Sequence, residues 1–292
     1  MDQPITTPLT LDVSDAPGVF YEAVRDHLER NEAENGLLLG FLKRAAGELA
    51  ARPPFLARCM DGEATHSVAL TTDLNLIVSR GTGQAAAAIV AALRERGVPV
   101  PGIVGPAEDV DALVAAWTAA SGAPPGAVID QMLYALREVV WPTGVPGRMR
   151  PMTEDDVELV TGWIWGFHRD ALPHEPYAMD AARDNALARP AAGSTYLWEL
   201  EDGVPVAMAA LARPTQRGVT VNAVYTPPEH RRHGYASALV AALSDEGLKR
   251  GKDFCVLYTD LANPTANGIY QAIGYKPVSR SKNVRFATGP SA

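Results

Sequence analysis

One segment in the second half of the chain restricts the possible folds more than any other feature. Residues 219–243 read VTVNAVYTPPEHRRHGYASALVAAL. A strand-like run leads through a turn into an amphipathic helix that begins near Gly234. The first N–H groups of a helix have no intrahelical partner and lie at the positive end of the helix dipole. Because Gly234 lacks a Cβ and Ala236 is small, an anion can approach this backbone closely, and Arg231 and Arg232 add full positive charge. The segment is therefore typical of a pyrophosphate site.

This segment differs from two common phosphate-binding loops. The sequence contains no G-x-G-x-x-G, and no G-K-[ST] follows the glycine. Arg231 or Arg232 taken alone could equally be a solvated loop residue. The specific signal is the order of a strand, R-x-x-G-x-A and an amphipathic helix.

A second polar pattern lies in residues 258–275, YTDLANPTANGIYQAIGY. Asn263 can cap the helix that Pro264 opens. Asn267 lies one turn later and Tyr270 three residues further, so their side chains can share one face of the helix. Asn267 could instead tie the helix to a neighbouring loop. Tyr270 could donate a proton or a hydrogen bond, or it could be an ordinary core aromatic.

The length of 292 residues favours two domains, and the apolar and charged fractions of 47% and 21% are those of globular proteins. The proline- and glycine-rich stretch 141–151, WPTGVPGRMRP, interrupts both helical and strand patterns. We therefore place the domains at residues 1–145 and 146–292.

The second domain shows helices first, then antiparallel strands, then a βαβα unit. Its order predicts an α/β (α+β) fold with a mixed, mostly antiparallel sheet flanked by helices. The predicted helices are 153–169, 180–189, 234–250 and 264–273, and the predicted strands are 195–201, 204–212, 219–225, 254–259 and one within 283–288.

The first domain gives weaker patterns. Its predicted helices are 20–31, 37–51, 84–96 and 110–120, and its predicted strands are 67–72, 74–79 and 134–140. Residues 88–93, AIVAAL, resemble residues 238–243, ALVAAL. Either both helices are simply rich in alanine, or the first domain is a drifted copy of the second.

Composition and charge exclude several classes of protein. The net charge of −8 argues against a protein that coats nucleic acid or anionic membranes. No apolar run has the length of a membrane helix, and the N-terminus lacks a signal-peptide pattern. Two cysteines, Cys59 and Cys255, are too few for a disulfide framework or a metal knuckle. We therefore expect a cytoplasmic protein without a metal, and we read His168, Asp170 and His174 as loop residues.

The two polar motifs together resemble the GCN5-related N-acetyltransferase (GNAT) superfamily. The residues that carry the resemblance are Val224 to Pro227, Arg231 to Ala236, Asn263 to Tyr270, and Gly274 with Tyr275. The resemblance spans residues 148–286 and implies a GNAT fold with acetyl-CoA as the acyl donor. It also implies that the first domain is a tandem copy. That copy would have lost acetyl-CoA, because residues 78–84, VSRGTGQ, lack the R-x-x-G-x-A order.

The resemblance also implies roles for individual residues. Acetyl-CoA would lie where strands 219–225 and 254–259 separate, and Tyr270 would be the catalytic acid that protonates the leaving thiolate. Cys255 would be a core residue and not a nucleophile. The remaining implied contacts with acetyl-CoA are Ala223, Val224 and Tyr225 for the pantetheine arm and the thioester carbonyl, Arg231, Arg232, His233, Gly234, Tyr235 and Ala236 for the pyrophosphate, and Asn263 with Asn267 on the following helix.

The implied activity is transfer of the acetyl group to a primary amine of a small molecule or an amino terminus. The amine attacks directly within a ternary complex, and the enzyme is a monomer or a homodimer. Two alternatives stay open: a non-catalytic acetyl-CoA sensor, and an acyltransferase for a longer acyl-CoA. The candidates for the general base are Glu199, Glu229, His230, His168, His174 and Glu175, and the sequence does not choose among them.

Overall fold

A computed structural model describes residues 9–47, 55–171 and 177–286. The chain forms two compact units. Unit 1 comprises Met1–Leu133, Asp260–Ala262 and Val278–Ala292, and unit 2 comprises Tyr134–Thr259 and Asn263–Pro277. The chain thus passes between the units at Leu133, before the proline-rich stretch. The functional assignment of residues 1–145 and 146–292 stays a prediction.

Unit 1 begins with a strand and two helices. Three consecutive strands follow, and helices and strands then alternate. Its elements are β1 (Thr10–Ser14), α1 (Pro17–Glu29), α2 (Glu32–Gly47), β2 (Leu56–Asp61), β3 (Ala64–Thr71), β4 (Leu76–Val78), α3 (Ala86–Glu95), β5 (Gly102–Pro106), α4 (Ala107–Ser121) and most of β6 (Pro125–Leu136). A 3₁₀ turn at Thr82–Ala85 precedes α3.

Unit 2 repeats this arrangement. Its elements are β7 (Arg148–Pro151), α5 (Val157–Ala171), α6 (Met179–Ala192), β8 (Thr195–Glu199), β9 (Pro205–Ala212), β10 (Gly218–Tyr225), α7 (Tyr235–Lys249), β11 (Phe254–Asp260), α8 (Pro264–Ala272) and the start of β12 (Lys276–Phe286). Short 3₁₀ turns at Glu154–Asp156 and Pro228–His230 precede α5 and the loop before α7.

The strands of each unit form a mixed, mostly antiparallel arrangement, as the sequence predicts. The strand order is β1-β2-β3-β4-β5-β12 in unit 1 and β7-β8-β9-β10-β11 in unit 2. In each of these runs one neighbouring pair is parallel: β4 with β5, and β10 with β11. β12, the last strand of the second half, pairs antiparallel with β5 of unit 1.

The order of elements supports the interpretation of the first half as a duplicated copy. Each half reads strand, two helices, three strands, helix, strand, helix, strand. The two alanine-rich helices that resemble each other, α3 and α7, each connect the two strands of the parallel pair. A shared composition alone does not place two helices at the same point of the same topology.

Helices cover both faces of each sheet. In unit 1, α1 and α2 bury Phe20, Leu28 and Leu42 against one face, and α3 and α4 bury Ile89 and Leu113 against the other. In unit 2, α5 and α6 pack on β8, β9 and β10 in a cluster of their own, and α7 contacts β9 and β10. No helix within the described ranges has both the length and the apolarity that a membrane crossing requires.

The sequence patterns miss four strands and misplace one. They do not predict β1, β2, β5 or β7, and β6 runs over Pro125–Leu136 instead of residues 134–140. β7 has the sequence RMRP, which is short and ends in proline, and it is a strand because its backbone pairs with β8. β6 carries Asp130 and Gln131 within its run and starts at Pro125. Tertiary pairing, not local pattern, defines these strands.

Arg150 links β7 to β8 and to the start of α5. Its two Nη atoms donate to the carboxylate of Asp156 at 2.7 and 2.8 Å, and its Nε donates to Glu199. The bonds from Arg150, and then from Arg148, lower the pKa of Glu199. Burial raises the pKa of Asp156, but the bonds from Arg150 and Thr153 outweigh it, so this pKa is also lowered.

A carboxylate with a lowered pKa stabilises the fold above its unfolded-state pKa, and this contribution is lost as the pH falls through the folded-state pKa. We therefore expect Arg150→Met to reduce the free energy of unfolding by about 1.5–3 kcal/mol at about pH 7. The deficit should shrink towards about pH 3. Urea unfolding at both pH values measures it. Arg183→Met, which breaks the exposed pair with Glu158, is the control and should cost under about 1 kcal/mol. An Arg150 deficit that is equal at both pH values would show that the lowered carboxylate pKa values do not contribute to stability.

Candidate functional site

The parallel strands β10 and β11 pair over only part of their length. Their register joins Gly218–Thr220 to Phe254–Val256 and then stops, whereas β10 continues to Tyr225 and β11 to Asp260. The last residues of β10 are therefore not hydrogen-bonded to β11. This leaves a separation between two parallel strands at their carboxyl ends, where ligands bind in open α/β sheets.

A bulge turns the backbone of β10 at this separation. Asn222 pairs with Ala210 of β9 and Tyr225 with Met208, and the register between the two strands shifts between these pairs. Within the shifted stretch, Ala223 has a φ of 50°, which is uncommon for a residue with a Cβ. Strain of this kind clusters at functional sites and persists only where the surrounding packing enforces it.

The loop after β10 leads into a helix whose N-terminus has no side-chain cap. Gly234 is the N-cap of α7 with φ 82°, and no side chain caps the helix there. Arg232 also has a positive φ, 68°, and its side chain is exposed. The rings of His233 and Tyr235 stack with centroids 5.4 Å apart. The first turn of α7, with Tyr235 and Ala236, thus presents N–H groups in the manner that favours anions.

Arg231 is held by groups of the protein itself. Its Nε donates to the carbonyl oxygen of Thr226 at 2.9 Å, and its Nη2 donates to Asp170 at 2.6 Å. Bonds from Arg169, and then from Arg231, keep the pKa of Asp170 low. The guanidinium also lies 5.8 Å from the centre of the Tyr225 ring. Arg231 therefore braces the loop against the end of α5, a contact that the sequence pattern does not predict.

The predicted cap of α8 is present. Asn263 Oδ1 accepts the N–H of Ala266 at 3.0 Å, and Asn267 Nδ2 donates to the Asn263 carbonyl oxygen at 2.7 Å. Asn267 Oδ1 accepts the hydroxyl of Tyr134 at 3.1 Å, and Gln271 donates to the same hydroxyl. Asn267 therefore ties α8 to the end of β6.

Tyr270 lies on α8 with 9% of its surface exposed. Burial raises the pKa of its phenol to about 12, so the group keeps its proton at neutral pH. Its ring meets the ring of Tyr275 edge-on, with centroids 6.1 Å apart. Cys255 is also a protonated group, because burial raises its pKa to about 12. Its thiol donates to the Ser244 carbonyl oxygen, as expected for a core residue and not a nucleophile.

No candidate base stands out in the described part of the chain. Glu199 is bonded to two arginines that lower its pKa, which makes it a weak base. The ring of His168 stacks on Tyr177 at a centroid distance of 3.6 Å. Glu229 and His230 form the turn that precedes the loop, and neither is buried. His174 and Glu175 lie outside the described residues.

Gly166 sets how closely α5 approaches the end of β10. A Cβ at Gly166 would lie 2.5 Å from the Tyr225 hydroxyl oxygen, so only glycine fits this contact without movement. The sequence patterns point neither to this glycine nor to its contact with Tyr225. The only local signal is an isolated glycine within an otherwise apolar helical run.

We expect Gly166→Ala to destabilise the protein by about 1–3 kcal/mol, because the new methyl group displaces a buried tyrosine. Gly162→Ala is the matched control on the same helix, where a Cβ meets no atom within 4 Å. That variant should gain about 0.5–1 kcal/mol from helix propensity. Thermal unfolding compares the two. Equal stabilisation by both substitutions would show that Gly166 does not limit the packing of α5.

Comparisons with known proteins agree with this geometry. Residues 157–275 match the model of the Acetyltransferase (GNAT) family. A Drosophila protein is 13% identical with a TM-score of 0.62, and the match covers 96% of this chain and 98% of that one. A GCN5-related N-acetyltransferase from Sphaerobacter thermophilus is 15% identical with a TM-score of 0.60, covering 96% of both chains.

A third similar structure is a GNAT-family acetyltransferase from Colwellia psychrerythraea, at 8% identity and a TM-score of 0.55, covering 95% of this chain and 100% of its own. No match was found among curated proteins. At these identities the structures establish similarity of fold alone. The segment matched by the family model contains the separation of β10 and β11, the loop before α7, and α8. Residues 157–275 of the chain are therefore similar to the Acetyltransferase (GNAT) family.

Proposed function

We propose that this protein is an N-acetyltransferase that moves the acetyl group of acetyl-CoA to a primary amine of a small molecule or an amino terminus. The observation that carries the proposal is the end of pairing between β10 and β11, followed by an uncapped helix N-terminus at Gly234. An extended pantetheine arm requires free backbone groups along a strand. A pyrophosphate requires free N–H groups. In unit 2, the end of β10 would offer backbone groups to the pantetheine arm. The start of α7 would offer N–H groups to the pyrophosphate.

The backbone of β10 would hold the reacting end of the cofactor. In this proposal Ala223, Val224 and Tyr225 pair with the pantetheine arm, and one of their N–H groups donates to the thioester carbonyl. Such a donor stabilises the negative charge that develops on the oxygen during attack. The bulge at Ala223 supports this role because it redirects these groups away from regular strand geometry.

The loop would hold the pyrophosphate chiefly through its backbone. The N–H groups that follow Gly234, on Tyr235 and Ala236, donate to phosphate oxygens, and Arg232 and His233 add side chains at the surface. Arg231 supports the site by fixing the loop, since Thr226 and Asp170 already accept its N–H groups. Asn263 contributes through its amide nitrogen, because its Oδ1 caps α8. Asn267 orients that helix.

The acceptor amine would attack the thioester carbonyl carbon, forming a C–N bond, and the C–S bond breaks as the tetrahedral intermediate collapses. The proposed fate of the thiolate is protonation by Tyr270, whose neutral phenol is a proton donor at physiological pH. The ammonium proton of the acceptor must leave to a base or to water, and no residue is assigned to this step.

The setting of the enzyme belongs to the same proposal. Cys59 and Cys255 are both free and buried, in keeping with the predicted reducing, cytoplasmic environment. The partners are acetyl-CoA and a small amine, without nucleic acid or membrane, and the enzyme acts as a monomer or homodimer. Within the described residues, no group of three or more histidine, cysteine, aspartate or glutamate side chains could hold a metal ion.

Gly234→Glu should weaken acetyl-CoA binding by about 100-fold or more, because a carboxylate replaces the space and the charge environment that the pyrophosphate needs. Calorimetric titration of acetyl-CoA measures this. Gly251→Glu is the matched control, because Gly251 lies just beyond the other end of α7. The φ of Gly251 is 85°, nearly the same as that of Gly234, and a Cβ at Gly251 meets no atom within 4 Å. It carries the same strain and charge and should bind normally. Binding that survives in Gly234→Glu would place the cofactor elsewhere.

Tyr270→Phe should lower the rate of acetyl transfer to a panel of amines by about 10²–10⁴-fold, with acetyl-CoA affinity unchanged. Tyr275→Phe is the control. It also removes a buried phenol oxygen, which is bonded to Ser244 at 2.8 Å, but it leaves the proposed acid unchanged. It should cost about 1 kcal/mol of stability and leave the rate intact. Tight binding with no transfer in the wild type would instead favour an acetyl-CoA sensor. Transfer only from longer acyl-CoA donors would favour an acyltransferase for a longer acyl-CoA.

A further inference from the structure

Unit 1 contains a loop with the same glycine geometry as the loop before α7. Gly81 precedes the 3₁₀ turn that leads into α3, with φ 87° and ψ −8°. Gly234 precedes α7 with φ 82° and ψ −1°. No side chain caps the helix at either of these two described positions. A left-handed glycine thus precedes both helices: Gly81 stands before the 3₁₀ turn Thr82–Ala85 that leads into α3, and Gly234 stands directly before α7.

A carboxylate of the protein bonds to an N–H donor of the unit 1 loop. Asp109 Oδ1 accepts the N–H of Gly83 at 2.8 Å, and the N–H of Gly81 is the second backbone group whose influence lowers the pKa of this carboxylate. Asp109 is 8% exposed. Burial raises its pKa, and the two N–H groups act in the opposite direction. Asp109 is the third residue of α4, and the third residue of α8 in unit 2 is Ala266, which carries no charge.

The space around the unit 1 loop is also filled. A Cβ at Gly83 would lie 3.0 Å from the Ala112 Cβ and 3.3 Å from the Asp109 Cα, so α4 packs directly on the loop. A Cβ at Gly81, the counterpart of Gly234, would lie 2.6 Å from His66 Nε2, whereas a Cβ at Gly234 would meet only Val145 within 4 Å among the described residues. The corresponding helix in unit 2 is therefore not packed on Gly234.

The parallel strands of unit 1 do not separate before β4 ends. A Cβ at Gly105 of β5 would lie 2.6 Å from both the carbonyl oxygen and a methyl group of Val78, the last residue of β4. In unit 2, β10 continues for five residues beyond Thr220, its last residue paired with β11. Unit 1, as far as its described residues extend, thus lacks the strand separation as well as the free donors.

We propose that the Asp109 carboxylate is an internal anion that fills the phosphate loop of the N-terminal copy, so that the chain binds acetyl-CoA at a single site in unit 2. The statement about the single site rests on the proposed function. The occupancy of the loop by Asp109 does not, and it is tested separately.

The first experiment measures amide hydrogen exchange of Gly81 and Gly83 by NMR. Asp109→Ala should accelerate exchange at Gly83 by about 10- to 100-fold, because this amide loses a charged acceptor. Asp109→Asn retains an acceptor oxygen and should show a smaller acceleration, and it serves if the alanine variant does not fold. Glu108→Ala, at the exposed neighbouring position on α4, is the matched control and should change neither amide. Unchanged exchange in both Asp109 variants would overturn the proposal.

The second experiment adds inorganic pyrophosphate to the same samples. The Gly81 and Gly83 amide signals should shift in Asp109→Ala and should not shift in the wild type or in Glu108→Ala. A shift in the wild type would overturn the proposal, because the loop would then be open.

Calorimetry with acetyl-CoA tests the stoichiometry. One site in the wild type, lost in Gly234→Glu, supports both proposals. Two sites, of which one survives in Gly234→Glu, overturn the closed loop and leave the proposed function intact. Absence of any binding would count against the proposed function alone, and the amide measurements would still decide whether Asp109 fills the loop.

Discussion

The site in unit 2 depends on the point where β10 and β11 stop pairing. Neighbouring strands normally pair along their length because unbonded backbone groups are costly when buried. Here the pairing ends after Thr220 and Val256, and β10 carries a bulge with a strained Ala223. The packing around the bulge enforces this geometry: Tyr225 is buried under α5 at Gly166. Packing of Tyr225 against α5 therefore helps to fix the end of β10 in this position.

The positive charge near the separation of β10 and β11 has a different role from the one that the arginine-rich loop sequence suggests. Arg231 is bonded to Thr226 and Asp170, so its charge stabilises the loop. In the proposed function, the attraction for the pyrophosphate then comes chiefly from backbone N–H groups at the start of α7 and from the exposed Arg232. Burial raises the pKa of Tyr270 to about 12, which strengthens the preference for the neutral phenol that an ordinary tyrosine already has at neutral pH.

The two halves of the chain share one topology but differ in whether a carboxylate of the protein bonds to the loop before the connecting helix. Both place a left-handed glycine before a helix that connects two parallel strands. In unit 1 the third residue of the next helix is Asp109, which binds the loop, and in unit 2 it is Ala266. A carboxylate at this position satisfies the N–H groups internally, and a methyl group leaves them free for a ligand.

Local sequence signals are enough to define the elements that carry the site and their family resemblance. β10, α7, β11 and α8 lie within about two residues of their predicted bounds, because periodicity, glycine and the Asn263 cap act over short distances along the chain. Which groups are free to bind, in contrast, depends on tertiary packing. Asp109 meets Gly83 from 26 residues away, and Asp170 meets Arg231 from 61. Contacts over such separations follow from how helices pack on the sheet, and no local pattern encodes that packing.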